Sequence, residues 1–146
     1  MKPAKLKEIE ILKRLSKPDF KAITELYNQL GPGRKPLTVA TINILLEGDS
    51  ELLVIREQGQ IIGMATIGFL PTVSGWYGEI THVVIDEGHR GQGFGTLIME
   101  YAIEQAKKHN VTKLHLTSAA HRSEAHAFYE KLGFKKVDAN FYRLTL

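Results

Sequence analysis

The chain has 146 residues, 43% of them hydrophobic and 24% charged, a size at which one domain buries roughly 68 to 70% of its unfolded surface without covalent staples. The absence of cysteine excludes thiol nucleophiles, zinc thiolate sites and disulfides. No apolar run is long enough for a bilayer and residues 1 to 7 lack the apolar core of a secretory signal, so a cytoplasmic protein without a membrane partner is expected. The net charge is +3, split as +5 over residues 1 to 40 and −2 beyond, but the basic residues are scattered without interleaved aromatics. They read as a solvated face, with no nucleic acid expected as partner.

Glu8 to Arg14 alternates as a first strand. Ser16 or Asp19 caps a helix whose Phe20, Ile23, Tyr27 and Leu30 share a face and which stops at Gly31-Pro32-Gly33. Thr38 caps a second, short helix with Val39, Ile42, Leu45 and Leu46 pointing one way. Glu51 to Glu57 and Gln60 to Leu70 form a hairpin around Gln58-Gly59. Trp76-Tyr77 opens a central strand running to Ile85, ended by the turn residues Asp86, Glu87 and Gly88. Phe94, Leu97, Ile98, Tyr101 and Ala102 recur at helical spacing, and Asn110 suits a left-handed cap. Lys113 to Thr117 is a further strand, parallel to the central one because a helix joins them. Ser123 caps a last helix closed by Gly133, and residues 134–137 and 141–146 pair as a hairpin around Asp138-Ala139-Asn140. The expected fold is a single α/β domain over residues 1–146, with a mixed, twisted sheet of about seven strands and about four helices.

The chemistry concentrates between the central strand and the third helix. Gly91, Gly93 and Gly95 sit where strand turns into helix. Bare backbone admits a ligand, and the free N–H groups of a first helical turn favour an anion. A dinucleotide fingerprint requires its third glycine where Thr96 stands and a carboxylate about 20 residues later, and a Walker A loop requires a lysine after the glycines. The chain has none of these.

Arg90-x-x-Gly93-x-Gly95 between strand and helix resembles the acyl-CoA pyrophosphate loop of the GNAT superfamily of N-acetyltransferases. Ala125-His126-Ala127-Phe128-Tyr129-Glu130-Lys131-Leu132-Gly133-Phe134 resembles that superfamily's A-x-x-F-Y-x-x-L-G-F signature. The two motifs, in order and at the family's spacing, cover roughly the last 70 residues.

The resemblance implies a GNAT-type fold and transfer of an acetyl group from acetyl-CoA to an amine, with no metal. The backbone N–H groups of Gly91, Gln92, Gly93, Phe94, Gly95 and Thr96 would cradle the pyrophosphate, and Arg90 would add charge nearby. The pantetheine arm would lie along Val83, Val84 and Ile85, where the central strand splays from its neighbour and a backbone N–H meets the oxyanion. Arg122, Ala125 and Phe128 would lie beside the cofactor, Arg122 standing where relatives commonly carry an asparagine. Tyr129 aligns with the superfamily's general acid, a phenol of pKa about 10 facing a thiolate whose conjugate acid lies near 8.5. The helical pair before Glu51 would wall the acceptor, with Arg34 and Lys35 near any acidic group on it.

An amine acceptor must lose a proton before it attacks, and Glu79 is the candidate base. On the period-two rule it shares a strand face with Thr81 and Val83, although many relatives carry the glutamate where Thr81 stands. Without cysteine, direct attack in a ternary complex is favoured over an acyl-enzyme. His82, His115, His121 and His126 fit no zinc spacing. The acceptor is a small-molecule amine or, alternatively, a protein amine. A regulatory domain that binds acyl-CoA without turnover is the rival reading, and a homodimer fits the family.

Overall fold

The computed structural model describes residues 8–118 and 123–146, which leaves Arg122 and His121 outside the described residues. Two compact units make up the chain, Met1–Leu116 and Thr117–Leu146.

The first unit runs β1 (Glu8–Ile11), α1 (Lys17–Asn28), α2 (Val39–Glu47), β2 (Glu51–Glu57), β3 (Gln60–Thr72), β4 (Gly75–Ile85), α3 (Phe94–Lys108) and β5 (Val111–Leu116). Local chemistry accounts for most of these boundaries. The Ser16 side chain accepts a hydrogen bond from the Asp19 N–H at 3.2 Å, and Pro18 occupies the first turn, where its missing donor costs nothing. Thr38 caps α2 through the Thr41 N–H at 3.1 Å. Gln58 and Gly59, both at positive φ (51° and 81°), make the two-residue turn between β2 and β3. Asn110, at φ 57°, takes the left-handed position after α3.

The strands lie in sequence order, β1-β2-β3-β4-β5, antiparallel except for the parallel β4–β5 pair. Every residue from Glu51 to Ile55 of β2 is buried, so this sheet is covered on both faces. On one face Leu52, Val54, Met64 and Val84 pack with Ile23 and Leu26 of α1 and Ile42 of α2. The alternate residues Leu53, Ile55, Ala65 and Ile67 are fully buried on the opposite face, where α3 contributes Phe94, Ile98, Met99 and Ala102. Val39 does not join the α2 core face and is 49% exposed.

In the second unit α4 (Ser123–Lys131) is closed by a left-handed Gly133 at φ 101°, with the Phe134 N–H returning to the Tyr129 carbonyl at 3.1 Å. The expected closing hairpin is not formed. Residues 134–146 carry no strand, and one short turn bond, Ala139 N–H to the Val137 carbonyl at 3.0 Å, marks the predicted bend. The sheet therefore has five strands among the described residues rather than about seven. Alternation at Tyr142, Leu144 and Leu146 specifies a segment able to pair, but an isolated two-stranded hairpin is only marginally stable.

Candidate active site

β4 holds the site's framework. Its ladder to β5 runs only from Trp76↔Val111 to Ile80↔Leu116, so from Thr81 to Ile85 the edge that faced β5 has no strand paired to it among the described residues. On the other edge, Thr66 pairs with Thr81 and Met64 with Val84. Three steps along β4 therefore match two along β3, and a β-bulge lies at His82–Val83. This bulge corrects the period-two reading: Val84, not Val83, continues the face of Glu79 and Thr81. Val84 is accordingly buried in the α1 core, and only its backbone remains to meet a ligand.

The chain then passes through a single 3-10 turn (Glu87–His89) to the glycines. Gly91 and Gly93 adopt φ 77° and 85°, and an added Cβ at either would meet no protein atom. Both face open space. Gly93 caps α3 with no side-chain hydrogen bond, and the first helical bond is Leu97 N–H to the Gly93 carbonyl at 3.1 Å. The amides of Gly93, Gly95 and Thr96 therefore have no acceptor within the helix. Phe94, 1% exposed, packs its ring inward beside His89 at 6.3 Å between centroids, so only its backbone belongs to the loop. Gln92 remains exposed.

Arg90 is more engaged than the sequence suggests. Its Nε donates to the Ile85 carbonyl at 3.0 Å and Nη2 to Gln29 Oε1 at 3.3 Å, leaving its other donors for an anion. Gln29, at the end of α1, also donates to Asp86 Oδ1 at 2.9 Å and accepts from the Glu87 N–H at 3.0 Å. Nothing in the sequence marks it, because its partners lie 57 or more residues away and it belongs to neither motif.

On the acceptor side, Glu79 is exposed and pairs in register with Gly68 and His115. His82 lies in the bulge at φ 52°, a left-handed conformation unusual for a residue with a side chain. Its Nδ1 is 3.1 Å from Thr81 Oγ1, and its ring stands 6.0 Å from that of Tyr27, over which Arg34 stacks at 5.6 Å. Partial burial of the ring and, second, the positive charge of Arg34 hold its pKa below the usual histidine range. The residue as a whole stays exposed, so the ring keeps a route to solvent. Sequence spacing treats His82 as one scattered histidine among several. The positive φ and the packed aromatic set it apart.

In the second unit Ala125, Phe128, Tyr129 and Leu132 fall on one side of α4, all partly buried. The Tyr129 ring lies 5.3 Å from that of Phe128 and 6.2 Å, edge-on, from that of Phe134.

The comparisons agree with this architecture. An uncharacterized N-acetyltransferase of Bacillus subtilis is 28% identical over 81 residues, 56% of this chain and 32% of the relative. The aminoalkylphosphonate N-acetyltransferase of Salmonella typhimurium is 27% identical over 99 residues, 66% of this chain and 64% of that enzyme. The chain thus spans between about a third and two thirds of the length of these curated relatives. Among solved structures, a putative acetyltransferase from Agrobacterium tumefaciens superposes with a TM-score of 0.84 at 28% identity, covering 94% of this chain and 99% of that one. The model of the acetyltransferase (GNAT) family matches residues 13–134, and with a strand that leaves its parallel neighbour just before a glycine-rich helix start, the chain belongs to the GNAT family of acetyltransferases.

Proposed function

We propose that the chain transfers an acetyl group from acetyl-CoA to a primary amine of a small molecule, by direct attack of the amine on the thioester. The observation that carries this reading is the pairing of two backbone edges in one unit: the glycine-rich helix start at residues 91–96, suited to a diphosphate, and the stretch of β4 beyond Ile80, which has no strand on its β5 side among the described residues and suits an amide-bearing arm. The backbone of Val83, Val84 and Ile85 holds the pantetheine, and an amide left unpaired at the bulge meets the oxyanion. Glu79 removes the proton from the amine, and Tyr129 supplies one to the departing thiolate. Proton count balances: the ammonium loses one to Glu79 and the tetrahedral adduct one to solvent, while the CoA thiolate gains one from the phenol.

The small-molecule reading draws on the Salmonella relative, named for aminoalkylphosphonates, and on Arg34, a cation held over Tyr27 beside His82. It favours an amine that carries an anionic group. The test is release of free thiol from acetyl-CoA across 2-aminoethylphosphonate, amino sugars, amino acids, polyamines, and lysine-bearing and free-N-terminal peptides. Turnover of a small amine is expected. Turnover of peptides alone would overturn the small-molecule assignment, and CoA binding without thiol release on the whole panel would favour a regulatory acyl-CoA domain.

A further inference from the structure

Gln29 ends α1, and its backbone N–H serves that helix by returning to the Leu26 carbonyl at 3.0 Å. Its side chain serves another element. The carboxamide has two donors and two acceptor positions, and it directs three bonds at the start of the phosphate loop: Nε2 to Asp86 Oδ1 (2.9 Å), Oε1 from the Glu87 N–H (3.0 Å) and Oε1 from Arg90 Nη2 (3.3 Å). Closing α1 needs none of these.

The other side of the same turn is also gripped. His89 Nδ1 lies 2.9 Å from Asp86 Oδ2, and His89 Nε2 lies 2.9 Å from Glu57 Oε2 at the end of β2. Asp86 is thus held through one oxygen by α1 and through the other by a histidine anchored on β2. The Gln29 donor, first, and His89, second, keep the Asp86 carboxyl below its usual range. Between these two anchors the residues that precede Gly91 are fixed on both sides, and the guanidinium of Arg90 is tethered at Ile85 and at Gln29.

We propose that Gln29 is a positioning residue for the acyl donor: its carboxamide sets Asp86, Glu87 and Arg90 so that the amides of residues 91–96 are already arrayed when the diphosphate arrives. The proposal rests on the acetyl-CoA reading given above. A loop set in advance binds without the cost of ordering it, and removing the carboxamide returns that cost to the binding step. The side chain touches no reacting atom, so its effect falls on donor affinity.

The experiment is calorimetric titration of the protein with CoA, on wild type, Gln29→Met, Gln29→Asn and a control, Lys107→Ala, whose exposed ammonium pairs with Glu104 within α3. Methionine keeps the length and the apolar stem but makes no hydrogen bond. Asparagine keeps the amide one methylene short of its partners. Both should weaken CoA by about tenfold, the weight of one or two lost hydrogen bonds, with melting temperatures within a degree or two of wild type and Lys107→Ala unchanged. Gln29→Met combined with Asp86→Asn should weaken CoA by less than the product of the single effects, since both cut one contact. Wild-type affinity in both Gln29 variants, or a loss that merely follows a fall in melting temperature, would overturn the positioning role alone. A wild type that does not bind CoA would remove the donor reading and this role together.

Discussion

At the scale of single residues, the proposed mechanism gives Tyr129 and Glu79 opposite proton duties, so the two should fail differently when changed. Tyr129→Phe keeps the ring contacts with Phe128 and Phe134 and removes only the hydroxyl, so kcat should fall by roughly 10² to 10⁴ with KM for acetyl-CoA nearly unchanged. Steady-state kinetics checks this, and equal turnover would take the phenol out of the mechanism. Glu79→Gln should flatten the rise of kcat/KM toward alkaline pH. His82 adds a second, separable effect. Its pKa lies below the usual 6.5 because of burial and Arg34, so the ring is neutral at pH 7 and gains charge only as pH falls past that range. Once protonated it stands beside Arg34 as a second cation, on the side where the proposed acceptor carries its anionic group. Wild type should therefore gain affinity for such an acceptor at acid pH relative to His82→Gln, while the neutral-pH KM values of the two stay within a few-fold. Glu79 was legible from the sequence as a carboxylate on the central strand. The special place of His82 was not, because a bulge is set by pairing with β3 and no residue type announces it.

At the scale of elements, the strand, glycine loop and helix were readable from Ile80 to Ala106 because periodicity switches from two to 3.6 there and the glycines stand at the switch. Caps and turns were equally legible at Ser16, Thr38, Gln58-Gly59 and Asn110, where a side chain or a positive φ decides the boundary. Long-range contacts were not: Gln29 reaches Asp86, and Arg56 reaches Glu10, through folding alone. The glycine loop supports a test that separates folding from binding. Gly93 has φ 85°, and a Cβ there would touch no protein atom, so Gly93→Ala faces backbone strain but no internal clash. That strain costs about 1 kcal/mol or slightly more. On the proposed reading a Cβ there also occupies the space of the diphosphate, so CoA affinity should fall far more than stability, by at least a hundredfold. Urea unfolding and calorimetry on the same sample measure the two effects. An affinity loss no larger than the stability loss would mean that the ligand does not approach this glycine.

At the scale of the whole molecule, the family match over residues 13–134 and the sheet order agree with what the two motifs implied, while residues 134–146 show that alternation alone does not build a strand. What binds the start of the first unit together is one cation that no motif singled out. Arg56 of β2 donates to both carboxylate oxygens of Asp19 at 2.8 Å each, to Glu10 Oε1 at 2.6 Å and to the Gly59 carbonyl at 3.0 Å. It thereby joins α1, β1, β2 and the hairpin turn. Asp19 is 9% exposed, and the Arg56 hydrogen bonds, ahead of the opposing effect of burial, pull its pKa below the usual carboxylate value. The sign follows from linkage. A carboxyl with a lower pKa folded than unfolded contributes its full stability above the unfolded value of about 4 and loses it as pH falls through the folded value. Asp19→Asn keeps the shape and one acceptor but removes the charge and leaves Glu10 as the carboxylate still paired with Arg56, so at pH 7 it should destabilise the protein by about 1 to 3 kcal/mol. Urea unfolding at pH 7, 5 and 3 should show the gap between the variant and wild type intact at pH 7, nearly intact at pH 5 and narrowed at pH 3, which lies below the unfolded value. A gap of constant size across that range would mean that Asp19 acts through packing in the first turn of α1 rather than through its charge on Arg56.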